Sequence, residues 1–337
     1  MKIVYVSPYN HGGAHSGQRV RTTNICMALR DDPTNEVVCL SPWTPPEGVE
    51  HHHFSLDGGW LRRLCNLPIL NLKLLVLRPD IVISESPLAP FSFGRFKVIH
   101  VIHDAKFLTT LGRRGSGIVR RMHWLSARIA CRVLTVSRAE SDRIAAGLGI
   151  PPRKIVVSYN GISPQWMTPL PTHPAIVYDL IYVSNFARHK GHQRLLEAID
   201  GLGLKVLLVG ADFGERTTVL DYARARGLDV TVREGISDED LVALYDASRV
   251  FVFPSALEGF GIPYVEARAR GLPVIAQDIP VFRELQAEIG GTIVTFDEHE
   301  QVREALASAN DETRERPDMA PFSWPALTEK LLGDILA

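Results

Sequence analysis

An α/β protein with two doubly wound domains is what the amino-acid sequence predicts, on three observations. Short runs rich in Val, Ile and Leu recur between longer helical patterns, six in each half of the 337 residues. The runs are apolar almost throughout instead of alternating, as parallel strands covered by helices on both faces require. The proline-rich stretch SPQWMTPLPTHPA, residues 163–175, reads as a linker between the halves. This length suits two domains, expected over 1–165 and 176–320, with a closing helix over 321–337.

The strand-like runs, in order, are IVYVS, VVCLS, IVISES, VIHVIHD, VLTVS and IVVSYNG in the first half. DLIYVSN, KVLLVG, VTVRE, VFVFPS, PVIAQD and GTIVTF follow in the second, and PFSWPALTEKLLGDIL reads as a last helix. No internal sequence repeat is visible, so any duplication is architectural. In open parallel sheets ligands bind beyond the carboxyl ends of the strands, which says where to look for chemistry.

Hydrophobic residues make up 45% and charged residues 22%, enough for a core in each half. A net charge of −1 argues against gripping nucleic acid by bulk electrostatics. Cys26, Cys39, Cys65 and Cys131 show no C-x-x-C spacing and read as reduced thiols of a cytoplasmic protein. MKIVYVSPY lacks the apolar core of a signal peptide, and LPILNLKLLVL is too short to span a bilayer.

The most informative stretch is PSALEGFGIPYVEARARGLPV. VFVFPS is its strand, Pro263 suits the first turn of the next helix, and Gly271 with Pro273 ends that helix. Gly259 and Gly261 admit a ligand close to the backbone, and the free N–H groups of a helix start favour phosphate. Glu258 and Glu266 would repel phosphate, so accepting hydrogen bonds from sugar hydroxyls is their natural task. The competing reading takes Ser255-x-x-Glu258 as a capping box and Glu266 as a complement to a helix dipole. Gly-Phe-Gly-Ile-Pro cannot continue a helix begun at Ser255, so capping explains Glu266 at most.

Lys190 at a helix start faces the positive end of a helix dipole, a conflict that a phosphate resolves; its alternative is a solvated lysine. His100 and His103 differ in parity along one strand, so they face opposite sides, and only His103 lies at the carboxyl end. His100 reads as packed or exposed. Asp238, Glu239 and Asp240 resemble a metal-binding D-x-D, but Ser237 with Asp240 makes an ordinary helix start. His51, His52 and His53 are consecutive, which in a strand cannot converge on one ion, and read as surface. No P-loop pattern occurs. No metal site is therefore predicted.

Ala105 to Ala139 contains no acid and carries Lys106, Arg113, Arg114, Arg120, Arg121, Arg128, Arg132 and Arg138. Helical spacing predicts one face for Arg121, Arg128 and Arg132, opposite a core stripe of Ile118, Met122, Leu125 and Ile129. Two readings stand: a solvated basic face, or a dock for an anionic membrane or a phosphate-bearing acceptor.

These segments resemble the retaining GT-B glycosyltransferases of family 4, whose signature is E, seven residues, E. The resemblance covers nearly the whole chain. YNHGGAHSGQRVRTTNICMAL is similar to the family's opening glycine loop and first helix, VIHDAKF to its histidine-bearing strand end, and TVSRAESDRI and VSYNGI to the landmarks that follow. VSNFARHKGHQRLLEAI resembles the phosphate-binding segment, EGISDEDLVALYDASRVFVFPS the approach to the signature, and FSWPALTEKLL the closing helix.

The resemblance implies a GT-B fold, two Rossmann-like domains with a cleft between them, the closing helix packing back towards the first. It implies a metal-independent enzyme, without cofactor, that moves a sugar from a UDP- or GDP-linked donor to a saccharide or lipid-linked acceptor. Surface polysaccharide or glycolipid synthesis follows, in the cytoplasm or peripherally at the inner face of the cytoplasmic membrane. Glu258 would contact the donor sugar with the backbone of Gly259, Phe260 and Gly261, and Glu266 would hold the ribose hydroxyls. Lys190 would neutralise the diphosphate, approached by the main chain at Gly12 and Gly13. Ile236 would border the nucleobase and His103 the transferred sugar. Asn185 stands where many relatives carry arginine; Arg188 either replaces that charge or points to solvent. An NAD-dependent dehydrogenase would need G-x-G-x-x-G where the chain has YNHGGAHSG. A non-enzymatic two-domain sugar-binding protein is the remaining rival; such proteins are usually exported, and no export signal is seen.

Overall fold

The computed structural model describes residues 1–10, 17–58, 60–109, 116–170, 175–310 and 313–336. The chain divides into two compact units, Met1–Gly161 with Phe322–Ala337, and Ile162–Pro321.

The first unit holds a seven-stranded parallel sheet of β1 (Lys2–Val6), β2 (Glu36–Ser41), β3 (Glu50–His53), β4 (Ile81–Ser84), β5 (Lys97–Val101), β6 (Arg132–Thr135) and β7 (Ile155–Val157). The order is β3-β2-β1-β4-β5-β6-β7. Its helices are α1 (Gly17–Arg30), α2 (Trp60–Leu77), α3 (Lys106–Thr109), α4 (Ser116–Ile129) and α5 (Arg138–Leu148). Strand parity sorts the core. Ile3 and Tyr5 pack with Ile25 and Leu29 of α1 and with Trp324 and Leu331 of the C-terminal helix (Trp324–Leu336). Val4 and Val6 pack on the other face with Leu70 and Leu74 of α2. A Cβ on Gly161 would lie 2.7 Å from the Trp324 ring, so that glycine lets the C-terminal helix seat.

The second unit is a six-stranded parallel sheet of β8 (Tyr178–Val183), β9 (Lys205–Val209), β10 (Asp229–Arg233), β11 (Ser248–Phe253), β12 (Val274–Gln277) and β13 (Thr292–Val294). Its order is β10-β9-β8-β11-β12-β13. Around it run α6 (His192–Ala198), α7 (Arg216–Arg226), α8 (Asp238–Asp246), α9 (Ile262–Ala269), α10 (Pro280–Ile289) and α11 (His299–Asn310). Both units are doubly wound α/β sheets, with each predicted apolar run in its own strand.

Three expectations need correction. A seventh strand, β3, contains His51, His52 and His53, which carry no apolar pattern because β3 is a short edge strand paired only with β2. The linker expected over 163–175 is, in its described part, docked on the second unit. Trp166 is buried and stands edge-on to Tyr245 at 5.1 Å. The wholly buried Arg270 guanidinium binds Asp246 at 2.7 Å and the Thr168 carbonyl at 2.9 Å, because a buried cation must find acceptors.

The third correction concerns α4. It ends at Ile129, so Arg132 begins β6 and does not share a helical face with Arg121 and Arg128. Ile118, Leu125 and Ile129 are exposed, whereas Ser126 and Ala127 are buried. The Ser126 hydroxyl donates to the Pro87 carbonyl and accepts from the Ala89 N–H. Small residues let this helix lie close against the unit, which turns the large apolar ones outward.

His100 is packed, fully buried, with Nε2 3.1 Å from Nδ1 of His123, whose ring stacks on Phe107. Burial pulls His100 well below its ordinary value, and pulls His123 and, in the second unit, His192 down to about 4. Unfolded histidine takes up its proton near pH 6.5, while these folded ones resist it until lower pH. Their neutral packing is thus fully compatible with folding above about 6.5, and stability falls as pH drops towards 4. The urea midpoint should be lower at pH 5 than at pH 7 and the drop smaller in His192→Phe, which keeps a ring stacked on Phe186; an equal drop in both proteins would refute this.

Candidate active site

In the second unit the strand order reverses between β8 and β11, and the loops leaving these two strands meet there. Gly191 adopts φ +71°, and a Cβ on it would lie 2.6 Å from the Pro254 carbonyl oxygen. Only glycine brings the two loops this close. The Ala256 N–H donates to the His189 carbonyl at 3.0 Å, and the Tyr182 hydroxyl donates to the Lys190 carbonyl at 2.7 Å. On this frame the Lys190 ammonium donates to Glu258 Oε1 at 2.6 Å, with the side chains 14% and 11% exposed. Lys190 is therefore no solvated lysine. The sequence reading gave it and Glu258 separate tasks; folding pairs them.

Glu258 caps no helix. The Ser255 hydroxyl donates to the His189 and Leu257 carbonyls, and α9 starts only after Gly261, whose φ is +103° and where a Cβ would meet the Phe282 ring at 2.8 Å. Gly259 and the buried Phe260 complete that turn. Glu266 sits in the middle of α9, too far along to complement its first turn. The Tyr245 hydroxyl donates to Glu266 Oε2 at 3.3 Å. Burial pushes the Glu266 carboxyl up to about 8, and the Tyr245 bond only partly opposes this. Burial therefore favours the protonated form of this carboxyl near neutral pH.

Around this centre, Asn185 is partly buried, with Oδ1 lacking a partner among the described residues. Arg188 is exposed, and Ile236 lies partly buried just before α8. Ser237 caps α8 by accepting from the Asp240 N–H at 3.1 Å, so the acidic run is a helix start. Among the described residues no three His, Cys, Asp or Glu side chains form a metal-binding group.

The first unit carries its own cluster where its strand order reverses, between β1 and β4. Glu85, directly after β4 and 2% exposed, accepts from the Tyr5, Ser7 and Thr22 hydroxyls at 3.0, 2.5 and 2.9 Å. His103 Nε2 lies 2.9 Å from the same carboxylate, which places the imidazole proton on that nitrogen. Fully buried Arg21 donates to the Ser158 and Tyr159 carbonyls and to Asn160 Oδ1. Gly12 and Gly13 lie outside the described residues. Sequence reasoning missed Glu85, Arg21 and Tyr245. For Glu85 a signal existed, an acid directly following an apolar strand; for the other two nothing local marked them.

The family model described as glycosyl transferases group 1 matches residues 174–321, and that of glycosyltransferase family 4 matches residues 15–166. A serotype-specific mannosyltransferase of Escherichia coli, WbdA, is 53% identical over 116 residues, 32% of this chain and 14% of that protein. The O-antigen chain mannosyltransferase B of Escherichia coli is 29% identical over 179 residues, 47% of this chain and 46% of that protein. The chain thus spans from a seventh to about half of the curated relatives it matches. Among solved structures, the lipopolysaccharide outer core galactosyltransferase WaaB in its apo form superimposes with a TM-score of 0.73 at 19% identity, covering 100% of this chain and 99% of that one. Anabaena Alr3699/HepE in complex with UDP and glucose gives 0.77 at 17% identity, with full coverage of both. These likenesses reach the fold, and the two family models together take in most of the chain: it belongs to the GT-B glycosyltransferases of family 4.

Proposed function

We propose that the protein is a retaining glycosyltransferase that moves a hexose from a UDP- or GDP-linked donor to a saccharide or lipid-linked acceptor. The product would be a surface polysaccharide or glycolipid, made at the inner face of the cytoplasmic membrane. The observation that carries this reading is the Lys190–Glu258 pair beside the amino terminus of α9, with Glu266 one turn into the same helix. The mannosyltransferase relatives and the UDP and UDP-glucose named in related structures support it. Among the described residues no helix is long and apolar enough to cross a membrane. A dehydrogenase has no glycine fingerprint to rest on.

On this reading the donor diphosphate takes the Lys190 ammonium and the helix-start amides, a positive field set before reaction. Glu258, released from Lys190, accepts hydrogen bonds from the sugar. The bond between the anomeric carbon and the diphosphate oxygen breaks, the acceptor oxygen joins the same face, and its proton goes to the leaving phosphate. Lys190 and the amides neutralise the leaving group without a metal. His103, oriented by Glu85, is assigned to the transferred sugar, and Ile236 to the base. Arg188, exposed, is free to meet the phosphates; Asn185 offers its Oδ1 to a ligand donor.

Calorimetric titration with UDP, GDP and NAD tests the class: one nucleoside diphosphate should bind, and tight NAD binding with no response to either diphosphate would overturn it. Ribose hydroxyls donating to Glu266 favour its ionised form, so binding should release a proton below pH 8. Affinity should therefore rise with pH up to about 8 and level off above. Glu266→Gln should lose that pH dependence; a parent protein that binds without proton release at pH 7 would remove Glu266 from the site. Glu266→Ala should raise the donor KM about ten- to hundredfold with a smaller loss in kcat. Glu258→Ala should lower kcat more than it alters KM, since its contribution grows in the transition state. A pure KM effect in both would make Glu258 a binding residue only.

A further inference from the structure

We propose that one face of the first unit, formed by α2, the loop over 85–96 and α4, docks on an anionic phospholipid bilayer. The three parts are one surface. The Phe91 N–H donates to Asn71 Oδ1 of α2 at 2.9 Å, and the Ala89 N–H donates to Ser126 Oγ of α4 at 2.8 Å. Leu70, Leu74, Ala89 and Ala130 share one core beneath it. Since those residues point inward, the opposite sides of both helices face out.

That outer side is apolar to an extent the rest of the protein does not match. Nine of the fifteen exposed large hydrophobic side chains among the described residues stand here, with Val76 81% exposed, Phe93 74% and Ile118 66%. A face this oily, rimmed by charge, marks an interaction site. The charge then chooses the partner. Residues 60–139 hold fourteen Arg or Lys against Asp80, Glu85 and Asp104, in a chain whose net charge is −1. Of the three acids, Glu85 is buried and Asp80 accepts from the Lys2 N–H at 2.7 Å.

Two hollows fit headgroups. One, of about 570 Å³, is lined by Arg120, Arg121, Trp124 and the turn at Gly147 to Gly149; the Arg120 guanidinium donates to the Gly147 carbonyl. The other, of about 420 Å³, lies at the end of α2, where Arg78 and Arg95 outnumber the Asp80 carboxyl that also lines it. Arginines beside the exposed Trp124, Leu125, Phe91 and Phe93 are the residue types of an interfacial anchor. Arg128, over the Trp124 ring at 4.9 Å, belongs to it; Arg132, half-buried on β6, does not. The surface stands apart from the transfer chemistry and rests on the lipid-linked acceptor only for its purpose, so its test needs no turnover.

The test is flotation of the full chain with phosphatidylcholine vesicles with and without phosphatidylglycerol. Binding should appear with phosphatidylglycerol at low salt, weaken at high salt, and shift tryptophan emission to the blue, a shift lost in Trp124→Phe. Arg120→Gln with Arg121→Gln should weaken binding about thirtyfold. Phe91→Ser with Phe93→Ser, which changes no charge, should weaken it at least about tenfold. Leu202→Ser, exposed in the second unit, should leave it unchanged. All these positions are exposed, and circular dichroism checks that the variants remain folded. No binding of the parent at low salt overturns the proposal. So does equal binding by the parent and the phenylalanine variant, which would mean charge attraction without insertion.

Discussion

A parallel sheet covered on both faces cannot accommodate polar chemistry within its layers, and everything else in this protein follows from that constraint. Unpaired polar groups collect beyond the carboxyl ends of the strands, and most readily where the strand order reverses and neighbouring loops diverge. The first unit reverses between β1 and β4, the second between β8 and β11. Glu85 follows β4 and binds Ser7, just past β1. Lys190 and Glu258 leave β8 and β11 and bind each other. Two units with no visible sequence repeat solve the same problem at the same place.

The solutions differ in how the charge is satisfied. Burying a carboxylate costs several kcal/mol unless hydrogen bonds or a counter-charge compensate. Among the described residues Glu85 accepts from the Tyr5, Ser7 and Thr22 hydroxyls and lies beside the His103 imidazole, so its charge is compensated within the unit. The Lys190 ammonium and the Glu258 carboxylate instead compensate each other. Among the described residues Glu266 accepts one side-chain hydrogen bond, from Tyr245, and burial raises its carboxyl to about 8.

The packing of α4 links stability to surface chemistry. Ser126 and Ala127 face inward, where a small side chain permits close approach to the sheet and Ser126 ties down the loop beside it. The larger apolar residues are left outside with the arginines.

The twelve apolar runs, the closing helix and the signature from Glu258 to Glu266 were legible in the sequence, because strands buried on both faces are continuous oily runs and tight turns demand glycine. That Gly191 and Gly261 admit no side chain could be suspected; that the obstacles are Pro254 and Phe282 could not. Tertiary structure alone decided that Lys190 pairs with Glu258 across 68 residues, that Glu85 holds His103, and that Tyr245 lies under Glu266. It also placed β3 at the sheet edge, docked Trp166 on the second unit, and set the phase of α4. Periodicity reports a buried face only when that face is apolar, and α4 buries its small residues. Partners far apart in the chain meet through the crossovers of a parallel sheet, and no local pattern encodes where two crossovers bring their loops together.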